Sequence, residues 1–171
     1  YGEDPYTRAA IKKFHEHFGN EAAVFFVFNG TAANVLSLAG ITRSYNAVIC
    51  AETSHLVIDE STAPEVFAGC RLLPVPSNDG RLSVESIRVK TLGFGNPHQV
   101  QPKVVSIAQT TEQGTVYSRD EIRPIAEFVH SGGMLLHMDG ARLANAAAAL
   151  GVGLREITSD VGVDVLSFGG T

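Results

Sequence analysis

The stretch Met134-Leu135-Leu136-His137-Met138-Asp139-Gly140-Ala141-Arg142 decides the fold. Its first five residues form an apolar run, Met134–Met138, broken only by one histidine. A run without strict polar alternation suits a strand buried on both faces, as in a parallel sheet. The run ends on a carboxylate and a glycine. An alanine-rich helix, Ala141–Leu150, follows and stops at Gly151.

The same strand–turn–helix unit recurs outward in both directions. Towards the N-terminus, Val104–Ala108 reads as a strand with the polar loop Gln109–Gly114 behind it, and Arg119–His130 as a helix capped by Ser118. Arg71–Val75 and Ala47–Ala51 read as strands, Val84–Val89 as a helix, and Ile58–Ala68 as a helix around Pro64. Val24–Phe28 reads as a further strand, broken by Asn29-Gly30 and followed by a helix over Thr31–Ala39. Tyr6–Phe18 is an amphipathic helix with Ile11, Phe14 and Phe18 on one face and Gly19-Asn20 at its end. Towards the C-terminus, Val163–Phe168 is the last strand. Strands alternating with helices predict a single α/β domain: a mostly parallel sheet with helices on both faces.

Composition narrows the function. The 171 residues are 44% hydrophobic and 18% charged, with a formal net charge of -5. An acidic balance opposes bulk electrostatic binding of nucleic acid, and no apolar run reaches the roughly 18 residues of a membrane span. The first residues do not look like a signal peptide. Cys50 and Cys70 sit in or beside strand-like runs without metal-ligand spacing, which suits a reducing cytoplasm.

In an open parallel sheet, ligands bind beyond the carboxyl ends of the strands. The loops expected there hold Asn29-Gly30-Thr31-Ala32, Glu52-Thr53-Ser54-His55, Gln109-Thr110-Thr111-Glu112, Asp139-Gly140-Ala141-Arg142 and Gly169-Gly170-Thr171. Gly30 and Thr31 open a helix, whose free amides and dipole favour a phosphate; as a bland alternative, Thr31 is simply an N-cap. Asp139, at a buried strand end, needs a partner: Arg142 three residues on, or a cationic heterocycle. His137 shares the face of Asp139, and a metal pair there lacks a third ligand. His55 can stack on a ring or act as a base near neutral pH. Glu112 is by default a solvated loop carboxylate. Lys12 and Lys13 lie on a helix face and Lys90 beside a loop, so none reads as a buried nucleophile.

Taken together, these motifs resemble the threonine aldolase and β-eliminating lyase family, pyridoxal-phosphate enzymes of the aspartate-aminotransferase fold type. The resemblance rests on His137-Met138-Asp139-Gly140-Ala141-Arg142 and on five further motifs in the same order. These are Tyr1-Gly2-Glu3-Asp4-Pro5, Asn29-Gly30-Thr31-Ala32-Ala33-Asn34, Thr53-Ser54-His55, Thr110-Thr111-Glu112-Gln113-Gly114-Thr115 and Leu166-Ser167-Phe168-Gly169-Gly170-Thr171. It implies that Gly30 and Thr31 hold the phosphate of pyridoxal 5'-phosphate, that His55 stacks on the pyridine ring, and that Asp139 pairs with the ring nitrogen. It implies that Arg142 lies near the phenolic oxygen and the substrate carboxylate. Many members have a histidine where this chain has Glu112; others share the Thr-Thr-Glu form.

The Schiff-base lysine of the family would directly follow Thr171, and the family's N-terminal segment and C-terminal small domain fall outside these residues. Residues 1–171 are therefore expected to be an incomplete cofactor-binding large domain. The expected reaction is retro-aldol cleavage of a β-hydroxy amino acid, such as threonine, to glycine and an aldehyde. The base is His55 or a water held by Glu112, with His55 preferred. A small-molecule substrate and a homo-oligomer (dimer or tetramer) are implied, with no nucleic acid or membrane partner. β-Elimination or transamination on the same cofactor, a nucleotide-binding module and a non-catalytic binding domain remain open alternatives.

Overall fold

The structure is a computed structural model that describes residues 2–169. Tyr1, Gly170 and Thr171, with the ends of the first and last motifs, lie outside the described residues. The elements run α1 (Pro5–Phe18), α2 (Gly30–Ile41), β1 (Asn46–Ala51), α3 (His55–Ile58), β2 (Arg71–Val75), α4 (Val84–Val89), β3 (Gln101–Ala108), α5 (Arg119–Ser131), β4 (Leu135–Gly140), α6 (Leu143–Leu150) and β5 (Val165–Phe168). Among the described residues the five strands form one sheet in the order β2-β1-β3-β4-β5, with every neighbouring pair parallel. The expected α/β architecture is what forms.

The strands β1 and β3 divide their side chains between two cores, and β4 feeds one of them. Ile49 and Ala51 of β1, Val105 and Ile107 of β3, and Leu136 and Met138 of β4 pack into one cluster with α1, α4, α5 and α6. Val48 and Cys50 of β1 and Val104 of β3 pack into the other, with Leu38 of α2 and Leu56 of α3. Period-two alternation therefore sends His137 and Asp139 of β4, with Leu135, towards the layer that carries α2 and α3. β1, for its part, is buried along its whole length. Local signals agree with this packing. Ser118 and Glu121 form a capping box at α5, and Ile122, Ile125, Ala126 and Val129 supply its buried stripe. Gly151 ends α6 in the left-handed conformation.

Three expectations change. Val24–Phe28 is not a strand: it pairs with no strand among the described residues, and Phe25 and Phe28 are 84% and 90% exposed. Its β-branched and aromatic residues suit a pleated surface, but no sheet edge receives them; Phe26 instead meets the Phe14 ring edge-on at 6.0 Å. Ile58–Ala68 is not one helix: α3 stops at Ile58, and a separate π-helical turn spans Pro64–Ala68. The strand Met134–Met138 is shifted towards its C-terminus, so that Asp139 and Gly140 still pair in the sheet.

The buried His137 ties three strands together. Its Nδ1 lies 2.9 Å from the Ser106 hydroxyl on β3, and its Nε2 3.0 Å from the Ser167 hydroxyl on β5. A neutral imidazole with one donor and one acceptor nitrogen satisfies both hydroxyls. With both nitrogens occupied, it is no metal ligand partnering Asp139. Burial pushes its pKa down to about 4, against the pull of nearby Asp139.

The unfolded imidazole takes a proton near pH 6.5. Between there and about 4 the unfolded chain holds the extra proton, so this contribution is complete above 6.5 and lost as pH falls through the window. Its size is on the order of 3 kcal/mol. Burial raises the Glu60 carboxyl and acts with the opposite sign from its ordinary range upward. Denaturant melts from pH 7 to 4.5 should therefore show a shallower acid-side slope for His137→Asn than for the parent chain; equal slopes would refute the assignment.

Candidate functional site

The strand order reverses direction between β1 and β3, and a crevice is expected beyond the carboxyl ends at such a switch point. His55 follows β1, the segment 109–117 follows β3, and Asp139 closes β4 next to them. Close backbone packing fixes the β4 end. A Cβ on Gly140 would come within 2.7 Å of Leu166 Cδ1, and one on Gly169 within 2.8 Å of the Ala141 backbone.

Asp139 is 9% exposed. Its Oδ1 accepts the Ala141 amide at 3.1 Å, and its Oδ2 accepts the Asn34 side-chain amide at 3.0 Å. Arg142, the cation nearest in sequence, turns elsewhere: its guanidinium bonds Glu112 Oε1 at 2.9 Å and the Thr110 carbonyl at 3.1 Å. Glu112 is thus an ion-paired carboxylate with an 18% exposed side chain, and not a solvated one. Among the described residues no cation pairs with Asp139.

The loop carrying Thr110 and Glu112 is pinned on both sides. The Gln109 side chain bonds both the backbone N–H and the C=O of Tyr117, at 3.0 and 2.8 Å. The Thr115 hydroxyl donates to the Asp79 carbonyl at 2.6 Å.

Gly30 and Thr31 form the first turn of α2, as expected, but Asn29 is the cap: its side chain accepts the Ala32 amide at 2.8 Å. The turn follows no strand. It reaches the site because Asn34, one helical turn on, touches Asp139.

His55 opens α3, and its side chain is 38% exposed. Its Nδ1 meets Glu60 Oε1 at 3.0 Å, and Nε2 has no hydrogen-bond partner among the described residues. Glu60, 4% exposed, also accepts the Asn34 amide at 2.7 Å on the same oxygen. Burial raises its pKa, against the lowering effect of the Asn34 and His55 hydrogen bonds. The structure thus links His55, Glu60, Asn34 and Asp139 in one chain of contacts, while Arg142 and Glu112 form a second pair.

Asn34 and Glu60 are the residues that sequence reasoning missed. Asn34 carried a usable signal: it is an amide among Ala32, Val35 and Leu38 on the buried stripe of α2. Glu60 had none, because its segment reads as a continuous helix.

Pyridoxal 5'-phosphate is tested against this geometry. The Asp139 carboxylate is shielded from water, held by two neutral donors and matched by no cation, which suits a protonated ring nitrogen. Two buried acceptor atoms, Asn34 Oδ1 and Glu60 Oε2, have no partner among the described residues. The first turn of α2 offers amides suited to a phosphate. The donor set fits the cofactor.

Comparison with known proteins agrees with the architecture. The low specificity L-threonine aldolase of Pseudomonas sp. (strain NCIMB 10558) is 46% identical over 172 residues, covering 100% of this chain and 50% of that protein. The solved threonine aldolase of Leishmania major superposes with a TM-score of 0.87 at 32% identity, covering 92% of this chain and 46% of that one. Aspartate aminotransferase from Thermus thermophilus shares the fold alone, with a TM-score of 0.62 at 16% identity over 78% of this chain and 34% of that one. The chain spans about half the length of the curated relatives it matches. The sequence model of the beta-eliminating lyase family matches residues 1–171 throughout, and the chain belongs to that family.

Proposed function

We propose that this chain is the cofactor-binding large domain of a pyridoxal 5'-phosphate-dependent lyase that cleaves a β-hydroxy amino acid, threonine or a close analogue, to glycine and an aldehyde. The observation that carries the reading is the Asp139 carboxylate, shielded and without a cation at the end of β4. The names of the relatives, low specificity L-threonine aldolases, support the substrate class.

When bound, pyridoxal 5'-phosphate supplies an electron sink for the pair released at Cα as the Cα–Cβ bond breaks. Asp139 would hold a proton on the ring nitrogen, the first turn of α2 at Gly30 and Thr31 would bind the phosphate, and His55 would lie against the ring. With its Nδ1–H donated to Glu60, Nε2 keeps the lone pair that takes the β-hydroxyl proton. Glu112 is committed to Arg142 and does not hold a water for that transfer; instead it orients the guanidinium that receives the substrate carboxylate.

Incubating full-length protein with threonine should yield glycine and acetaldehyde. Ammonia and an oxo acid would point to β-elimination instead. Asp139→Ala should lower turnover on the order of 100-fold or more; unchanged turnover would refute its role. His55→Phe should lower kcat by about 100-fold, whereas Glu112→Gln should mainly raise KM, and the reverse pattern would exchange the two assignments.

The reading extends to a homo-oligomer in the cytoplasm. The exposed Phe25, Phe28 and Leu36 support association, and the buried free thiols Cys50 and Cys70 suit a reducing compartment. Light scattering on the full-length protein should give a dimer or tetramer; a monomer would overturn this part.

A further inference from the structure

We propose that Asn34 and Glu60 are positioning residues that couple His55 to Asp139, so that the group against one face of the cofactor ring and the group on its nitrogen respond to binding as one unit. This rests on the roles given to His55 and Asp139 above. The three elements involved come from separate parts of the chain: Asn34 lies 26 residues from Glu60 and 105 from Asp139. One nitrogen joins them. Asn34 Nδ2 has two hydrogens, and it has two acceptors: Glu60 Oε1 at 2.7 Å and Asp139 Oδ2 at 3.0 Å. Glu60 Oε1 in turn receives His55 Nδ1 at 3.0 Å.

Three observations separate this from ordinary core packing. Asn34, Glu60 and Asp139 are 2%, 4% and 9% exposed, so water screens the contacts poorly, and a shift at one end is felt at the other. The amide stands between two carboxylates, and without its two donors the site would hold adjacent, unshielded anions. Among the described residues Asn34 Oδ1 and Glu60 Oε2 are buried without partners. Each such atom carries a desolvation cost, which an apolar residue beside Ala32, Val35 and Leu38 would avoid. The polar pair destabilises the core and orders the site.

The test is a double-mutant cycle on cofactor affinity. Full-length protein is stripped of cofactor, and the Kd for pyridoxal 5'-phosphate is measured by absorbance titration for His55→Phe, Asp139→Asn and the double variant. The same cycle is repeated in an Asn34→Ala background. With Asn34 intact, the two effects should be non-additive by about fivefold or more; with Asn34→Ala they should become additive to within about twofold. Additivity with Asn34 intact, or non-additivity that survives Asn34→Ala, overturns the coupling while leaving both single roles standing. If neither single variant moves the Kd, the roles of His55 and Asp139 fall, and the coupling falls with them. Glu60→Ala cuts the same chain at its other bond. It must abolish the same non-additivity, and it decides the question if Asn34→Ala does not fold.

Discussion

An anion at the sealed end of a buried strand has to be met by donors or by a positive charge, and here it is met only in part. Burying a carboxylate costs several kcal/mol. Asp139 receives two hydrogen bonds, from Asn34 and from the Ala141 amide, which offset part of that cost. Among the described residues no cation offsets the rest, so the fold tolerates the carboxylate but leaves it poised for one. Arg142 would have closed it; its engagement with Glu112 and Thr110 keeps the carboxylate open to a ligand.

The two central histidines show how burial divides one side chain between opposite tasks. His137 has a hydroxyl on each nitrogen and a pKa pushed to about 4, so it stays neutral and clasps β3, β4 and β5. His55 has one nitrogen on a buried carboxylate and the other without a partner among the described residues, with its side chain partly in water. The first arrangement suppresses proton exchange. The second fixes the tautomer and leaves a lone pair available.

Chain order carried the strands and their end residues, because a run of apolar residues closed by Asp or Glu-Thr-Ser-His marks a buried strand and its loop. It failed at Val24–Phe28, where residue type matches a strand but nothing in the local pattern reports whether a sheet edge is free to pair. It failed again at Ile58–Ala68, where α3 ends at Ile58 and Glu60 turns inward to a long-range contact with Asn34. Asp139 was legible as an acid where an apolar residue belongs. Its partners were not, since a contact spanning 105 residues leaves no periodic trace. The amide of Asn34 was visible on an apolar stripe, yet its purpose emerges only when α2 is laid on β4.

Sheet register is what converts those distant residues into a site. Met138 packs with Leu136 in the core shared by α1, α4, α5 and α6, so its neighbours His137 and Asp139 must project to the α2 and α3 side. Asp139 pairs with Ala108 on β3 and Ser167 on β5. A slip of one residue would present Met138 to Asn34 and drive the carboxylate into the apolar core. That penalty makes Asp139 a determinant of register as well as of the site, although the unpartnered atoms on Asn34 and Glu60 weaken the core around it.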